Sequence, residues 1–298
     1  MISLKYYDME NMIPLFQGLT MKMGSKMALH WNKDFQPGMA YVMLSRTQAL
    51  EDIDIIESKS KFSSEAIKVN TDALEENNRI HDISEALKKE KEVLFSKNYT
   101  VSYLNVRRLR PHLIDVTTDP MLIKSDVMCL GETWLKPHDT AQIDGFRAIE
   151  IKSEEDGKGL SAYIPNQETL LECQKFEKDR FSAILVKTLQ LDVLFVYLSK
   201  GFEWEDLKQI LELFIQSKKD LAVIGDTNIN FLTEEHDFTR FMTNKRFIQM
   251  IQEPTHERGG LLDQIYINES LSKKNPICSQ KSVYYSDHDI ICLHVPKE

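Results

Sequence analysis

Along the last two hundred positions, apolar residues come in short consecutive runs separated by turn-rich segments. Val101–Val106, Asp126–Leu130, Leu160–Ile164, Phe181–Val186, Val193–Tyr197, Leu221–Ile224, Leu262–Ile267 and Ile290–Val295 are short and rich in β-branched or aromatic residues, which predicts strands. Several are apolar on successive positions, the pattern of a strand covered on both faces. Glu203–Gln216, with Leu207, Ile210, Leu211 and Phe214 on one side, predicts a helix between two of them, and Asp237–Arg246 a second. Strands and helices do not alternate regularly, so an α+β sandwich fits better than a doubly wound sheet.

Two further textures precede this region. Residues 58–98 are highly polar and contain no Gly or Pro. Within them Ile80, Ile83, Leu87 and Leu94 form one narrow stripe at helical spacing, predicting a linker helix. Residues 1–57 are mixed. The expected organisation is therefore an N-terminal fragment (1–57), a helical linker (58–98) and one large domain (99–298).

Composition adds limits. No uninterrupted apolar stretch approaches the ~18 residues of a membrane span, and Met1–Leu15 lacks the apolar core of a secretory signal. Cys129, Cys173, Cys278 and Cys292 are scattered without a C-x-x-C pair, which argues against zinc and against a disulfide framework. A nuclear or cytoplasmic setting is expected. The net charge of −9 runs against strong electrostatic attraction to a phosphate backbone, so any basic groove must be local.

The chemistry collects where the predicted strands stop. Asn105 ends the first, Gly131-Glu132-Thr133-Trp134 follows the second, and Tyr197 ends the fifth. Asp226-Thr227-Asn228 follows Leu221–Gly225, and Ser286-Asp287-His288 precedes the last strand. Singly, such residues are more often turn or cap residues. Asp263 is different: flanked by Leu261, Leu262, Ile265 and Ile267, it is costly to bury without a partner, and His288 is the candidate.

In this order, N-V-R-R-L (105–109), D-V-M-C-L-G-E-T-W-L (126–135), I-G-D-T-N (224–228), P-T-H-E-R-G-G-L-L-D-Q-I-Y-I (254–267) and S-D-H-D (286–289) resemble the endonuclease/exonuclease/phosphatase superfamily, from about Tyr99 to the C-terminus. The resemblance implies a four-layer α/β-sandwich, two packed mixed β-sheets flanked by helices. It implies Mg²⁺ or Mn²⁺ held by Glu132 with Asn105 and Asp287, hard oxygen ligands suited to such ions. It further implies Asp226 as the group that orients or deprotonates the attacking water with Asn228 beside it, His288 on the scissile phosphate held by Asp263, and Tyr197 as a phosphate contact. The expected activity is metal-dependent hydrolysis of DNA phosphodiester bonds; the same fold also serves non-nucleic phosphodiesterases, and a decayed relic without catalysis is a third reading. Three positions depart from the family pattern: Arg107 stands where an acid is common, Gly131 where glutamine is, and Lys200 where asparagine is. At about 200 residues the domain is also short, which implies trimmed recognition loops.

Phe35–Arg46 (F-Q-P-G-M-A-Y-V-M-L-S-R) resembles the last conserved motif of Pif-type superfamily-one helicases, in which an arginine at the Arg46 position contacts the nucleotide γ-phosphate. The phosphate-cradling loop G-x-x-x-x-G-K-[ST] is absent, so no ATPase is expected. A helicase tail before this nuclease class resembles the C-terminal part of a Helitron-type transposon protein.

Overall fold

The computed structural model describes residues 5–8, 11–14, 26–30, 53–56, 71–215 and 219–297. The chain divides into two compact units, Met1–Lys89 and Glu90–Glu298, each taken by itself. In the first, β1 (Lys5–Asp8), β2 (Asn11–Pro14), β3 (Lys26–His30) and β4 (Ile53–Ile56) form a mixed sheet in the order β2-β1-β3-β4. Phe35–Arg46, the segment of the helicase resemblance, lies outside the described residues. The polar stretch forms a helix over Thr71–Lys97, on which Ile80 and Ile83 are exposed; its anchor in the second unit is Phe95, one position beyond the expected stripe.

The second unit is built on two six-stranded sheets. One runs β15 (Ile277–Lys281), β16 (Ile290–Pro296), β5 (Asn98–Asn105), β6 (Val127–Gly131), β8 (Leu160–Pro165), β7 (Phe146–Ile151). The other runs β13 (Ile248–Gln249), β14 (Asp263–Ile267), β12 (Leu221–Asp226), β11 (Asp192–Leu198), β10 (Phe181–Thr188), β9 (Leu170–Lys178). Each sheet is antiparallel except for one parallel pair, β5/β6 and β11/β12. Parallel neighbours need a crossover, and the helices Leu109–Thr118 and Trp204–Ile215 supply the two.

Side-chain alternation sorts the core into three layers. Val101, Tyr103, Val127 and Cys129 of one sheet meet Val193, Phe195, Ala222, Ile224 and Ile265 of the other. The outward residues Leu104, Met128 and Leu130 pack with Leu109, Val116 and Leu122 of the covering helices. Leu194, Val196 and Val223 pack with Leu207, Leu211, Phe238 and Met242 on the opposite side. The four-layer α/β-sandwich expected from the family resemblance is therefore present. Gly225 is required by a close approach: a Cβ there would stand 1.8 Å from the carbonyl oxygen of Val196 on the neighbouring strand. Among the described residues no helix is long and apolar enough to cross a membrane.

One core imidazole makes folding sensitive to acid. His294 on β16 is fully buried, with Nδ1 3.0 Å from Thr100 Oγ1 and Nε2 2.8 Å from Ser279 Oγ. Burial pushes its pKa down to about 4. Above pH ~6.5 both folded and unfolded chains carry it neutral; below that the unfolded chain takes up the proton and the folded one does not, until about pH 4. Stability is then lost as pH falls across this window, by about 3 kcal/mol at full extent. His294→Gln is expected to shrink the drop in urea midpoint between pH 7 and 5 relative to the wild type; an equal drop in both proteins would exclude His294 as the sensor.

Candidate active site

Register places the chemistry. On adjacent strands of the second sheet Tyr197 pairs with Asp226, and Asp226 with Asp263. All three share the inner-face parity of Phe195, Ile224 and Ile265, so they form one row at the end of the apolar core. On the facing sheet Asn105 pairs with Gly131, and Glu132 follows directly.

Asn105, fully buried, spans the two sheets. Its Nδ2 donates to Asp226 Oδ2 at 2.8 Å and to Glu132 Oε1 at 3.1 Å, while its Oδ1 accepts the Arg107 N–H at 3.2 Å. Both amide hydrogens and the amide oxygen are engaged, so in this arrangement Asn105 is a bridge between two carboxylates. Tyr197 Oη lies 3.0 Å from Glu132 Oε1 and 2.8 Å from the Gly157 carbonyl oxygen; its single hydrogen serves one of them at a time. Burial, then the charges of Glu132 and Asp226, hold that phenol protonated by raising its pKa. Asn228 turns back on the scaffold: its N–H donates to Asp226 Oδ1 at 2.8 Å and its Nδ2 to the Leu198 carbonyl at 2.7 Å.

His288 stands between two buried acids. Nδ1 is 2.7 Å from Asp263 Oδ2 and Nε2 is 4.0 Å from Asp226 Oδ2. Burial opposes charge on the ring, but Asp263 facing it, with Asp226 and Asp287 beyond, outweighs that and lifts its pKa to about 9. Asp226 is held well above the ordinary carboxylate range by burial and then by Asp263; His288 and the bonds from Asn105 and Asn228 counter this. An imidazolium between two carboxylates that face each other across β12 and β14 offsets their repulsion.

Asp287 is met from two sides. Arg107, at the position where an acid was the family expectation, forms an ion pair with its Oδ2, and His256 Nε2 lies 3.3 Å from the same oxygen. His256 Nδ1 accepts the Arg258 N–H at 3.0 Å, which puts the ring proton on Nε2, toward Asp287. Asp287 Oδ1 is buried without a hydrogen-bond partner. Glu132 Oε2 accepts the Trp134 indole N–H at 3.4 Å. The acid and imidazole groups lying within 4.8 Å of one another are His256/Asp287/His288 and Asp226/Asp263/His288. The donor chemistry fits a divalent cation, because an unpartnered buried carboxylate oxygen is costly unless a cation or donor meets it.

Two site residues carried no expectation of a role from sequence, His256 and Tyr103, and Trp134 carried one only as part of the loop after β6. His256 lies within the P-T-H-E-R-G-G run, and its bridge to His288 is a pairing of distant segments. Tyr103 explains Gly131: a Cβ at 131 would sit 2.1 Å from the Tyr103 hydroxyl, so the phenol occupies the space that a larger residue would need. Lys200 is exposed and donates nothing to the row; its carbonyl accepts Arg180 Nη1. Backbone strain gathers here. Among the described residues seven non-glycine positions have positive φ, and Arg107, Arg108, Glu132, Trp134 and Asn228 all belong to the loops of this rim. Such conformations cost on the order of 1–3 kcal/mol each and persist where surrounding contacts over-determine them.

No family model matches the chain, and no curated protein sequence does. Solved structures match about two thirds of the chain. A 3'-5' exonuclease from Neisseria meningitidis is 13% identical, with a TM-score of 0.56 over 66% of this chain and 100% of that one. An AP endonuclease from Archaeoglobus fulgidus is 17% identical, with a TM-score of 0.53 over 66% and 98%. An endonuclease/exonuclease/phosphatase family protein from Leptotrichia buccalis is 11% identical, with a TM-score of 0.50 over 66% and 99%. At these identities the likeness is one of fold: the described sandwich of this chain has the fold of the endonuclease/exonuclease/phosphatase proteins.

Proposed function

We propose that the chain is a metal-dependent endonuclease that hydrolyses DNA phosphodiester bonds. The observation that carries the reading is the buried Asp226–His288–Asp263 row joined through Asn105 to Glu132. Hydrolysis builds negative charge on the phosphoryl oxygens as a water attacks. In this reading Asp226 orients that water and takes its proton, and the His288 imidazolium, sustained by Asp263, offsets the charge that develops. Glu132 and Asp287 would hold Mg²⁺ or Mn²⁺, which supplies Lewis-acid polarisation of the phosphate. Asn105 positions Glu132 and Asp226 at once, and Asn228 keeps Asp226 aligned. A neisserial 3' phosphatase of similar fold, solved bound to a product DNA hairpin, supports DNA as the substrate in this reading. We further infer a nuclear or cytoplasmic protein, from its scattered cysteines, derived from the C-terminal part of a Helitron-type transposon, from the helicase resemblance of Phe35–Arg46.

A second reading, a relic without catalysis, draws on one observation: Arg107 already neutralises Asp287. One experiment separates them. The full chain is incubated with single-stranded, duplex and abasic DNA, with Mg²⁺ and with chelator, and Mn²⁺ binding is followed by calorimetry in wild type and Glu132→Gln. Cleavage that chelator abolishes, together with Mn²⁺ uptake that Glu132→Gln weakens at least about tenfold, is expected. No cleavage and no Mn²⁺ uptake would establish the relic.

A further inference from the structure

One strained, half-exposed aromatic beside Glu132 is not used by the mechanism above. Trp134 has φ +54, a conformation unfavourable for a bulky side chain. It is pinned there by its own N–H donating to the Lys158 carbonyl at 2.9 Å and by the Thr133 N–H donating to Gly159 at 3.3 Å. The neighbouring Leu135 is fully buried, whereas the larger indole stays partly exposed. Arg108 places its guanidinium 6.0 Å from the indole centroid. Its backbone is also strained, at φ +89, and is held by its N–H donating to the Glu132 carbonyl at 2.9 Å. The Arg108 guanidinium forms no hydrogen bond or ion pair among the described residues, although Asp156 feels its field. The indole N–H meanwhile points to Glu132 Oε2. Two adjacent loops are thus locked in costly conformations, and the result is a partly exposed indole with an exposed planar cation over its ring, next to the carboxylate that would hold the metal.

We propose that Trp134 and Arg108 form a stacking subsite for one unpaired nucleobase, which makes single-stranded DNA the preferred substrate class of the site described above. The inference rests on that nuclease reading for its location. Charge supports it. A chain of net charge −9 draws little affinity from backbone phosphates, and two nearby cations are already paired: Arg107 with Asp287, Lys158 with Glu155 and Asp179. Stacking on an aromatic face supplies affinity that does not depend on net charge and accepts any base. A base inside a duplex keeps both faces stacked and cannot reach the indole; an unpaired one can.

The test uses the full chain in chelator, so that binding is read without cleavage. Fluorescence anisotropy compares a labelled oligothymidylate with an oligonucleotide of equal length made of abasic tetrahydrofuran residues. The wild type is expected to bind the thymidylate about tenfold more tightly. Trp134→Ala should bring the two affinities together, Trp134→Phe should keep most of the difference, and Arg108→Ala should reduce it. Equal affinity of the wild type for both strands, no binding of either, or a full preference in Trp134→Ala would each overturn the subsite. Because cleavage is scored separately with Mg²⁺, a chain that cuts DNA without base preference loses this inference alone, and one that prefers bases without cutting loses only the nuclease reading.

Discussion

Asp226→Asn is expected to lower the single-turnover rate of DNA cleavage by about 10³-fold, the scale of losing a positioned general base. The substitution keeps the size of the side chain, removes its charge and takes away its capacity to accept a proton. It also disturbs local bonding. Oδ1 accepts from Asn228 and Oδ2 from Asn105, so one of the two donors must face the new NH₂ group. A buried donor left without an acceptor costs about 1–3 kcal/mol. Against this, Asp226 faces Asp263 across β12 and β14, and removing one of two buried like charges relieves repulsion. The two effects oppose each other, so the variant should unfold in urea within about 2 kcal/mol of the wild type. Cleavage by Asp226→Asn within a few-fold of wild type would remove Asp226 from the reaction.

Asp263→Ala should damage both rate and stability, and the pairing of the two is the diagnostic. Asp263 is completely buried and is the group 2.7 Å from His288 Nδ1. Without it the ring loses the largest influence favouring its charge, while burial continues to oppose that charge. A neutral imidazole no longer offsets charge on the phosphate, and its ring loses the bond that sets its orientation. A rate loss of about 10³-fold is expected from the combination. Breaking one side of a buried ion pair costs about 3 kcal/mol or more of stability. Asp263→Asn, which can still accept from Nδ1, should recover much of the stability but little of the rate. If Asp263→Asn cut DNA as fast as the wild type, orientation alone would account for Asp263 and the charge on His288 would be irrelevant.

The separation between strands visible in the pattern and strands that were not follows sheet position. The eight runs predicted to be strands are β5, β6, β8, β10, β11, β12, β14 and β16, the inner strands of both sheets. Within the second unit the four strands without a signal, β7, β9, β13 and β15, are the outermost of their two sheets. An inner strand here has both faces covered, by the opposing sheet and by helices, so it reads as a continuous apolar run. An outer strand is partly solvated and carries polar and charged residues, as in Leu170–Lys178 with its sequence L-L-E-C-Q-K-F-E-K, which also discourages edge-to-edge pairing. The helix Leu109–Thr118 was missed for a local reason: Pro111 and the run Val116-Thr117-Thr118 lower helix propensity, and burial of Leu109 and Val116 against the sheet overrides it.

By itself the sequence determined which residues end the inner strands, and hence that Asn105, Glu132, Tyr197, Asp226, Asp263 and His288 are candidates for one rim; burial of an acid among Leu261, Leu262 and Ile265 also required a partner for Asp263. Tertiary structure alone decided what each side chain touches. Asn105 joins Glu132 to Asp226, Asn228 braces Leu198, Arg107 and His256 converge on Asp287, and Tyr103 fills the space above Gly131. These contacts span up to 181 positions, as in Ser286 Oγ donating to the Asn105 carbonyl. Local pattern reports how often a position is buried. Strand register and the packing of one sheet on the other decide which buried polar groups face one another, and that information is carried by no single segment of the chain.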